Sequence, residues 1–589
     1  MNSNQFEPSN ISLHSLYPNL SKHFLYKYIL SVGDKLMGLD KLQAIYDNSG
    51  FKGLPYKEFA DTLISEFNTP VVGVDNLQAN LPKSGPVIIV ANHPFGCIEG
   101  IALASEVMKI RGDVKVLANK ALAMFQELQS LFIFIDPLKP KEPTNMKALK
   151  DCRRHLNSDG VLILFPSGKV SEFESSKKRV CDGDWNRVAA HLARSCEAKV
   201  VPVFFEGTNS SQFLLLARIW SKLKLVMLFR EMMNRRGSPI NMKVGRVLTP
   251  GILSSLKDVG VINDYLRAQV YALDPKYQYS WPADKTTKML PLAESIGKSK
   301  ISEELLQLPK EQKLASYKGF TVYYGYQHQI SNIVLEIARE RERVFRLHNE
   351  GSGNAMDTDS FDATYVHLFI VQDQTFDLIG AYRMGQTDIL LKDGNLENLY
   401  LSKMFSFKAN FINQQEPCLE MGRSFIVPEH QKSFYGLYLL WRGIGEFVVK
   451  HPKYRRLYGT VSISKLYSPN SVEYMNRILT EPSEEVDANY PFNVANNPEL
   501  EDFTSKHREH NGVLSALVCG TELDGKDIPV LMKQYQKLGA RYYCIGIDRS
   551  FNDTPGMLLS VHLPTAPNKS LKQYLSNGLD GYLAYKKEH

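Results

Sequence analysis

Between about residues 86 and 249, short apolar runs alternate with longer stretches whose apolar positions recur at helical spacing. The runs fall at 87–90, 114–117, 131–135, 161–165, 200–205 and 242–247. Continuous short runs predict buried strands, and helical stretches between them predict an α/β layer architecture. Upstream, about 20–48 reads as an amphipathic basic helix, with Leu25, Tyr28, Ile29, Val32, Leu36 and Leu39 at helical spacing and Lys22, Lys27, Lys35 and Lys41 interspersed. Such a helix packs on its own domain or lies on a membrane surface.

After Pro250 the pattern weakens. From about 274 to 313, Pro275, Pro282, Pro291 and Pro309 punctuate a Lys- and Glu-rich stretch that reads as a linker. A second α/β segment follows, with helices predicted over 330–347 and 435–449 and strands over 365–371, 378–384, 418–427 and 456–462. No internal repeat relates the halves, so two different domains are expected. The predicted division is a helical segment at 1–75, a first α/β domain at 76–273, a linker at 274–313 and a mixed α/β domain at 314–589.

Composition narrows the classes. A chain of 589 residues with 43% hydrophobic and 23% charged residues is globular, neither fibrous nor largely disordered, and long enough for two to four domains. Its seven cysteines include no Cys-x-x-Cys pair, which excludes a disulfide scaffold and the usual zinc spacings. No apolar run approaches the roughly 18 residues of a membrane span, and residues 1–13 lack a signal-peptide pattern. A cytosolic or membrane-surface protein is expected. The net charge of +7 permits anionic lipid or nucleic acid as partner and selects neither.

The run 87–90 leads into Ala91-Asn92-His93-Pro94-Phe95-Gly96-Cys97-Ile98-Glu99-Gly100. A histidine in the turn after a buried strand, with a carboxylate one helical turn on, can act as a general base whose second nitrogen is held by the acid. The alternative is a helix-capping His93 and a solvated Glu99. Two more blocks accompany it: Phe165-Pro166-Ser167-Gly168-Lys169-Val170-Ser171, and Val200-Val201-Pro202-Val203 leading into Glu206-Gly207-Thr208. Residues 213–236 hold Arg218, Lys222, Lys224, Arg230, Arg235 and Arg236 against one acid, Glu231, with apolar residues between. Near an anionic membrane each such cation contributes about 1 kcal/mol; the alternative is a core helix with a solvated basic face. No nucleic-acid module is recognisable, so nucleic acid is not an expected partner.

In the second half, Asp357, Asp359 and Asp362 crowd one loop. Counted as a calcium loop from Asp357, the sixth position is Asp362 and the twelfth Leu368, which excludes an EF-hand, and no metal site is predicted. The acids suit a cationic substrate, an arginine network or a solvated loop. On the strand 418–427, regular alternation puts Glu420, Gly422 and Ser424 on one face and Arg423 on the other. A carboxylate among apolar residues there is a candidate base for an ammonium group; a buried Glu-Arg pair is the alternative.

The three blocks of the first half resemble, over about residues 80–250, the glycerolipid acyltransferase family, and the Asn-His-Pro-x-Gly form resembles its branch that O-acylates lyso-aminolipids. Two departures stand out: five residues separate His93 from Glu99 where the family usually has four, and Ser167 replaces a Glu. The resemblance implies His93 as general base, Glu99 as its orienting acid, and the turn carrying Pro166, Ser167, Gly168 and Lys169 as acceptor-binding.

The acidic loop, Gly380-Ala381-Tyr382-Arg383, and Glu420-Met421-Gly422-Arg423 resemble, over about 315–589, the GNAT-like N-acyltransferases that include acyl-homoserine lactone synthases and ornithine N-acyltransferases. The stretches from Ile528-Pro529 to Arg541 and Asp548-Arg549-Ser550-Phe551 resemble the tail of the latter. This resemblance implies Asp359, Asp362, Arg383 and Arg423 as substrate-binding and Glu420 as catalytic. It also implies an acyl carrier protein thioester as donor, acyl-CoA being the alternative, because 431–436 matches the pyrophosphate loop of CoA-dependent relatives poorly.

The combination resembles the bifunctional ornithine lipid synthases of bacteria. The expectation is an acyltransferase without resident cofactor, N-acylating an amino acid with a 3-hydroxyacyl group and then O-acylating the lyso-lipid's 3-hydroxyl. It would sit peripherally on the cytoplasmic face of the inner membrane, with acyl carrier protein and the membrane surface as partners. The rivals are the same chemistry on glycine or another amino acid, and a lysophospholipid acyltransferase whose second domain only binds carrier protein or membrane.

Overall fold

The computed structural model of the protein describes residues 9–16, 22, 24–136, 143–219, 224–282, 289–411 and 416–585. The chain divides into two units: Met1–Gln278 with Ala495–Asp527, and Tyr279–Val494 with Ile528–His589.

In the first unit the apolar runs form β1 (Val71–Val72), β2 (Val87–Ala91), β3 (Val114–Asn119), β4 (Phe132–Ile135), β5 (Val161–Leu164), β8 (Lys199–Phe205) and β9 (Ile240–Val244), with a small hairpin of β6 (Glu172–Glu174) and β7 (Arg179–Cys181). The seven-stranded sheet has the order β1-β9-β8-β2-β5-β3-β4, with only β8 and β9 antiparallel. β2 lies at its centre, every residue buried, because parallel strands covered on both faces must be apolar throughout. Val90 pairs with Leu164 on one side and Pro202 on the other, so the turns after β2 and β5 emerge side by side at the carboxyl edge, where open α/β sheets hold their ligands. Helix Ile98–Met108 follows β2 and is buried along its whole length.

The single basic helix expected over 20–48 is two helices, Phe24–Leu36 and Leu39–Asn48, separated at Gly38 with φ +70°. Leu39, Leu42 and Tyr46 enter the core. The first helix instead leaves Tyr28 70%, Ile29 52% and Leu36 65% exposed. The side chains of Leu25, Arg218, Lys222 and Lys224 lie outside what the structure describes. Residues 495–527, grouped by sequence pattern with the second domain, pack in the first unit instead. There Tyr265 Oη donates to Ala516 O at 2.9 Å and Asn497 Nδ2 to Tyr271 O at 3.2 Å.

The second unit is built on an eight-stranded sheet, order β10-β11-β12-β13-β15-β16-β19-β18. Its strands are β10 (Lys313–Tyr317), β11 (Phe320–Tyr326), β12 (Val366–Gln372), β13 (Leu378–Gln386), β15 (Cys418–Ile426), β16 (Arg456–Ser462), β18 (Arg541–Asp548) and β19 (Thr554–His562); β14 (Phe405–Phe407) and β17 (Val486–Ala488) form a separate pair. Neighbours are antiparallel except β15 and β16, which are joined through helix Phe434–Lys450. That parallel pairing runs only from Cys418↔Arg456 to Met421↔Gly459, although both strands continue, so the sheet opens at its middle. Much of the predicted linker is folded into this unit: helix Lys298–Gln307 presents Glu304 to the backbone N–H groups of Asn332 and Ile333 at 2.8 and 2.9 Å, and Trp281 Nε1 donates to Tyr467 O at 2.7 Å. Among the described residues no helix is long and apolar enough to cross a membrane.

Candidate active sites

In the first unit, Asn92 ends β2 by bridging to β8: its Nδ2 donates to Phe205 O at 3.0 Å, and Phe205 N–H donates to its Oδ1 at 2.7 Å. His93 is gripped by its backbone. Its N–H donates to Asp182 Oδ1 at 3.1 Å, and its carbonyl accepts the Ser171 N–H at 2.9 Å. The next turn needs Gly96, with φ +96°, where any side chain would meet Leu228 and Val170.

Glu99 is fully buried. Its carboxylate accepts N–H groups from Phe95, Gly96 and Cys97 at 2.9, 2.7 and 3.1 Å, and its Oε1 lies 3.0 Å from His93 Nδ1. Burial alone would push this carboxyl up, but the charge and hydrogen bond of His93 with the Gly96 N–H hold it below the ordinary carboxylate range. Glu99 therefore stays ionised, fixes the Nδ1 side of the ring, and leaves Nε2 for a substrate. The imidazole lies against Phe165, centroids 4.4 Å apart. The helix-cap alternative fails on this geometry, since the residue before the helix is Cys97, with no side-chain cap, and Glu99 is not solvated.

His93 opens onto a cavity of about 410 Å³, lined by Ile101, Phe132, Leu164, Phe165, Leu228 and Phe229 and, at one end, by Pro166, Ser167, Gly168 and Lys169. All four predicted turn residues are thus brought to His93. Ser167 Oγ donates to Lys169 O at 2.7 Å, so it closes the turn, and the turn is pinned from beneath by Asn186 N–H to Pro166 O at 2.9 Å.

Sequence reasoning missed Asp182. Buried at 2% exposure, it accepts from Ser171 Oγ (2.6 Å) and Trp185 Nε1 (3.0 Å) besides the His93 N–H. Burial pushes its carboxyl up against these bonds. Behind it, Arg267 donates to Asp182 O at 2.8 Å and to Glu499 at 2.7 Å, and Glu499 also meets Lys177 (2.8 Å) and Arg179 (3.0 Å). The Asp182-Gly183-Asp184-Trp185 cluster was a visible signal for the first; nothing local pointed to Glu499, which arrives from residues 495–527.

In the second unit the acidic loop folds into an arginine network, one of the readings open from sequence. Asp362 accepts two bonds from Arg341 at 3.1 Å and one from Arg383 at 2.9 Å, Asp359 meets Arg383 at 2.5 and 3.0 Å, and Asp357 meets Arg341 at 2.7 Å and Arg423 at 3.3 Å. Arg341, on helix Ser331–Arg346, was not singled out from sequence. Burial would raise Asp362, but Arg341 and Arg383 together hold it well below the ordinary range.

The expected alternation along β15 is corrected. Arg423 has φ +53°, and the register to β13 shifts between Ala381 and Arg383, a bulge that turns Arg423 onto the cleft already lined by Glu420. Arg423 stacks on Tyr400 and Phe551, 4.7 and 4.2 Å to the ring centres, and donates to Tyr400 Oη at 3.0 Å. Glu420 pairs with tyrosines, not with arginine. Its Oε1 accepts from Tyr365 Oη at 2.9 Å and Leu401 N–H at 3.3 Å, and its Oε2 from Tyr458 Oη at 3.2 Å. Burial outweighs these bonds and pushes its carboxyl up to about 7. The cleft, about 70 Å³, lies where β15 and β16 part and is lined also by Arg383, Ser462 and Asp548.

A family model described as acyltransferase matches residues 19–277, and one described as acetyltransferase (GNAT) domain matches 341–442. Among curated relatives, a glycine N(alpha)-acyltransferase of Bacteroides thetaiotaomicron is 31% identical over 28% of this chain, and one of Phocaeicola vulgatus 23% identical over 46% of it. These matches span 54% of the first relative's length and 88% of the second's. A lyso-glycine lipid O-acyltransferase of P. vulgatus is 26% identical over 42% of this chain and 89% of its own length. The chain is an acyltransferase with two α/β domains, an N-terminal acyltransferase domain and a C-terminal GNAT domain.

Proposed function

We propose that this acyltransferase makes an aminolipid by two successive transfers, N-acylation of an amino acid in the GNAT unit and O-acylation of the product in the other. The observation that carries the reading is that relatives of this one chain are named separately for an N-acylation and for an O-acylation of a lyso-lipid. Two separate buried polar sites, one in each unit, support it. The first donor is a 3-hydroxyacyl thioester, because the second step needs a hydroxyl on the first chain; acyl carrier protein is the proposed carrier. In the O-acylation, His93 Nε2 takes the proton of that hydroxyl, Glu99 stabilises the imidazolium, the 166–169 turn meets the acceptor, and the apolar cavity takes an acyl chain.

Glycine is the proposed head group. The relatives' names support it, and the small size of the cleft, about 70 Å³, agrees with it. Asp359 and Asp362, expected to meet ornithine's second ammonium, are engaged by guanidinium groups. Ornithine remains a second reading because Asp548, which also lines the cleft, accepts from the Tyr400 and Ser550 hydroxyls and the Ser550 N–H and, among the described residues, pairs with no cation. Arg383 and Arg423 are the proposed partners of the amino-acid carboxylate. Glu420, with both oxygens engaged, suits the cleft floor.

Peripheral attachment to the cytoplasmic face of a bacterial inner membrane completes the proposal. It is supported by exposed Tyr28, Ile29, Val32 and Leu36 beside Lys27 and Lys35, and by exposed Leu215 and Leu216. The test is lipid mass spectrometry of an aminolipid-free bacterial host expressing the full chain. Mono- and di-acylated glycine are expected, di-acylated ornithine would select the second reading, and neither lipid would overturn the function.

A further inference from the structure

β16 ends at Ser462, on the wall of the opening that forms after Met421↔Gly459. Ser462 is exposed, and its Oγ donates to Glu350 Oε2 at 3.2 Å. Glu350 comes from the loop after helix Ser331–Arg346 and is only 5% exposed. The Ser462 bond is the one hydrogen bond its carboxylate accepts among the described residues. Its loop is held in place by Glu350 N–H to Phe345 O at 2.9 Å and by Ser464 Oγ to His348 O at 2.6 Å. A carboxylate this buried, with most of its acceptor capacity unused and a hydroxyl between it and the cleft, is arranged to receive a hydrogen-bond donor or a proton. Glu420 is not, since three donors already occupy it. Arg423 lines the same cleft; its Nε and Nη2 are engaged, while its Nη1 carries no hydrogen bond among the described residues.

We propose that Ser462 and Glu350 receive the amino group of the acceptor amino acid, that Arg423 receives its carboxylate, and that Glu350 takes the proton that frees the amine. The inference rests on the reading of this unit as an amino-acid N-acyltransferase. The ammonium gives a proton to Ser462 Oγ while Ser462 passes its own to Glu350 Oε2. The neutral nitrogen bonds to the thioester carbonyl carbon, the carbon–sulfur bond breaks, and the departing thiolate takes the second proton from nitrogen. Glu350 then releases its proton to solvent.

An ordinary carboxylate is a weak acceptor for an ammonium proton. Burial pushes Glu350 up to about 7, against the Ser462 hydrogen bond and the charge of Arg423. The charged group that acts on it is Arg423, whose partner is Asp357; Arg383, Glu420 and Asp548 line the cleft with Ser462, and His348 shares the loop of Glu350.

The experiment uses the full chain, glycine or ornithine, and a 3-hydroxyacyl carrier-protein thioester, with N-acyl product measured across pH. In the wild type the rate should rise as pH passes about 7 and Glu350 ionises. E350Q should lower kcat/KM on the order of 10²-fold and abolish that rise, whereas E420Q should keep it. S462A, at an exposed position, should raise KM for the amino acid and leave KM for the thioester unchanged, which decides the matter if E350Q does not fold. Activity and pH dependence unchanged in E350Q, a rise lost in E420Q instead, or an unchanged KM in S462A would overturn the inference. A wild-type chain that N-acylates neither amino acid would overturn the underlying reading instead.

Discussion

Replacing His93 with Ala separates chemistry from folding in the first unit. A positioned base contributes on the order of 10²–10⁴-fold to a proton-transfer step, which at 1.36 kcal/mol per factor of ten is about 2.7–5.5 kcal/mol of barrier. The structural cost is of a different kind. The variant loses the ring contact of His93 on Phe165 at 4.4 Å, worth about 0.5–1.5 kcal/mol, and the charge that His93 Nδ1 holds 3.0 Å from buried Glu99, which lowers stability towards acid. The backbone bonds of residue 93 to Asp182 and Ser171 do not involve its side chain, and Glu99 keeps its three N–H donors. The protein should therefore stay folded, lose O-acylation of supplied lyso-lipid almost entirely, and retain N-acylation. Cells expressing it should accumulate the mono-acylated lipid. Thermal melting and lipid mass spectrometry on the same preparation check both halves of the argument. A folded variant that makes normal amounts of di-acylated lipid would refute the role given to His93.

Glu99→Gln should give the same accumulation less completely, since the Gln amide oxygen can accept the Phe95 and Gly96 N–H bonds, but its nitrogen cannot accept the Cys97 N–H and it cannot hold an imidazolium by charge. Because the folded-state pKa of Glu99 lies below its unfolded value, its contribution to stability is present above roughly pH 4.3 and is lost as pH falls through the folded value; His93→Ala should start acid unfolding at a higher pH, read by circular dichroism. Glu499→Ala should destabilise the first unit by about 3 kcal/mol in denaturant melts, because it strands three half-buried cations, Arg267, Arg179 and Lys177. For the same reason residues 1–278 alone should fold poorly, and joining 495–527 to them should restore a cooperative transition. Ile29→Asp with Leu36→Asp should weaken retention on anionic vesicles without changing the melting temperature, since both side chains are already half exposed or more.

Several features of both sites were legible in the chain because they are local. β2 and β5 are apolar throughout, since each is covered on both faces, and a chain leaving such a strand must turn at the sheet's carboxyl edge. His93 with Glu99 and the turn after Phe165 could therefore be located from a run of apolar residues and the polar residues that follow it. The same holds for Glu420 on β15 and Arg383 on β13, whose strands announce themselves by composition.

What the sequence could not contain is whatever depends on residues far apart along it. Regular alternation directs Arg423 away from Glu420; only the bulge, set by how β13 must pair with β15, turns it into the cleft. The acids at 357, 359 and 362 could meet a substrate or arginines, and the docking of helix Ser331–Arg346 and β13 decides for arginines by bringing Arg341 and Arg383 to them. Asp182 reaches the backbone of His93 across 89 positions, and Glu499 reaches Arg267 across 232, from a stretch that pattern alone assigns to the other domain. Hydrophobic periodicity reports which face of an element is buried. The partner found there is settled by packing, because a buried charge must find its counter-charge wherever in the chain that lies.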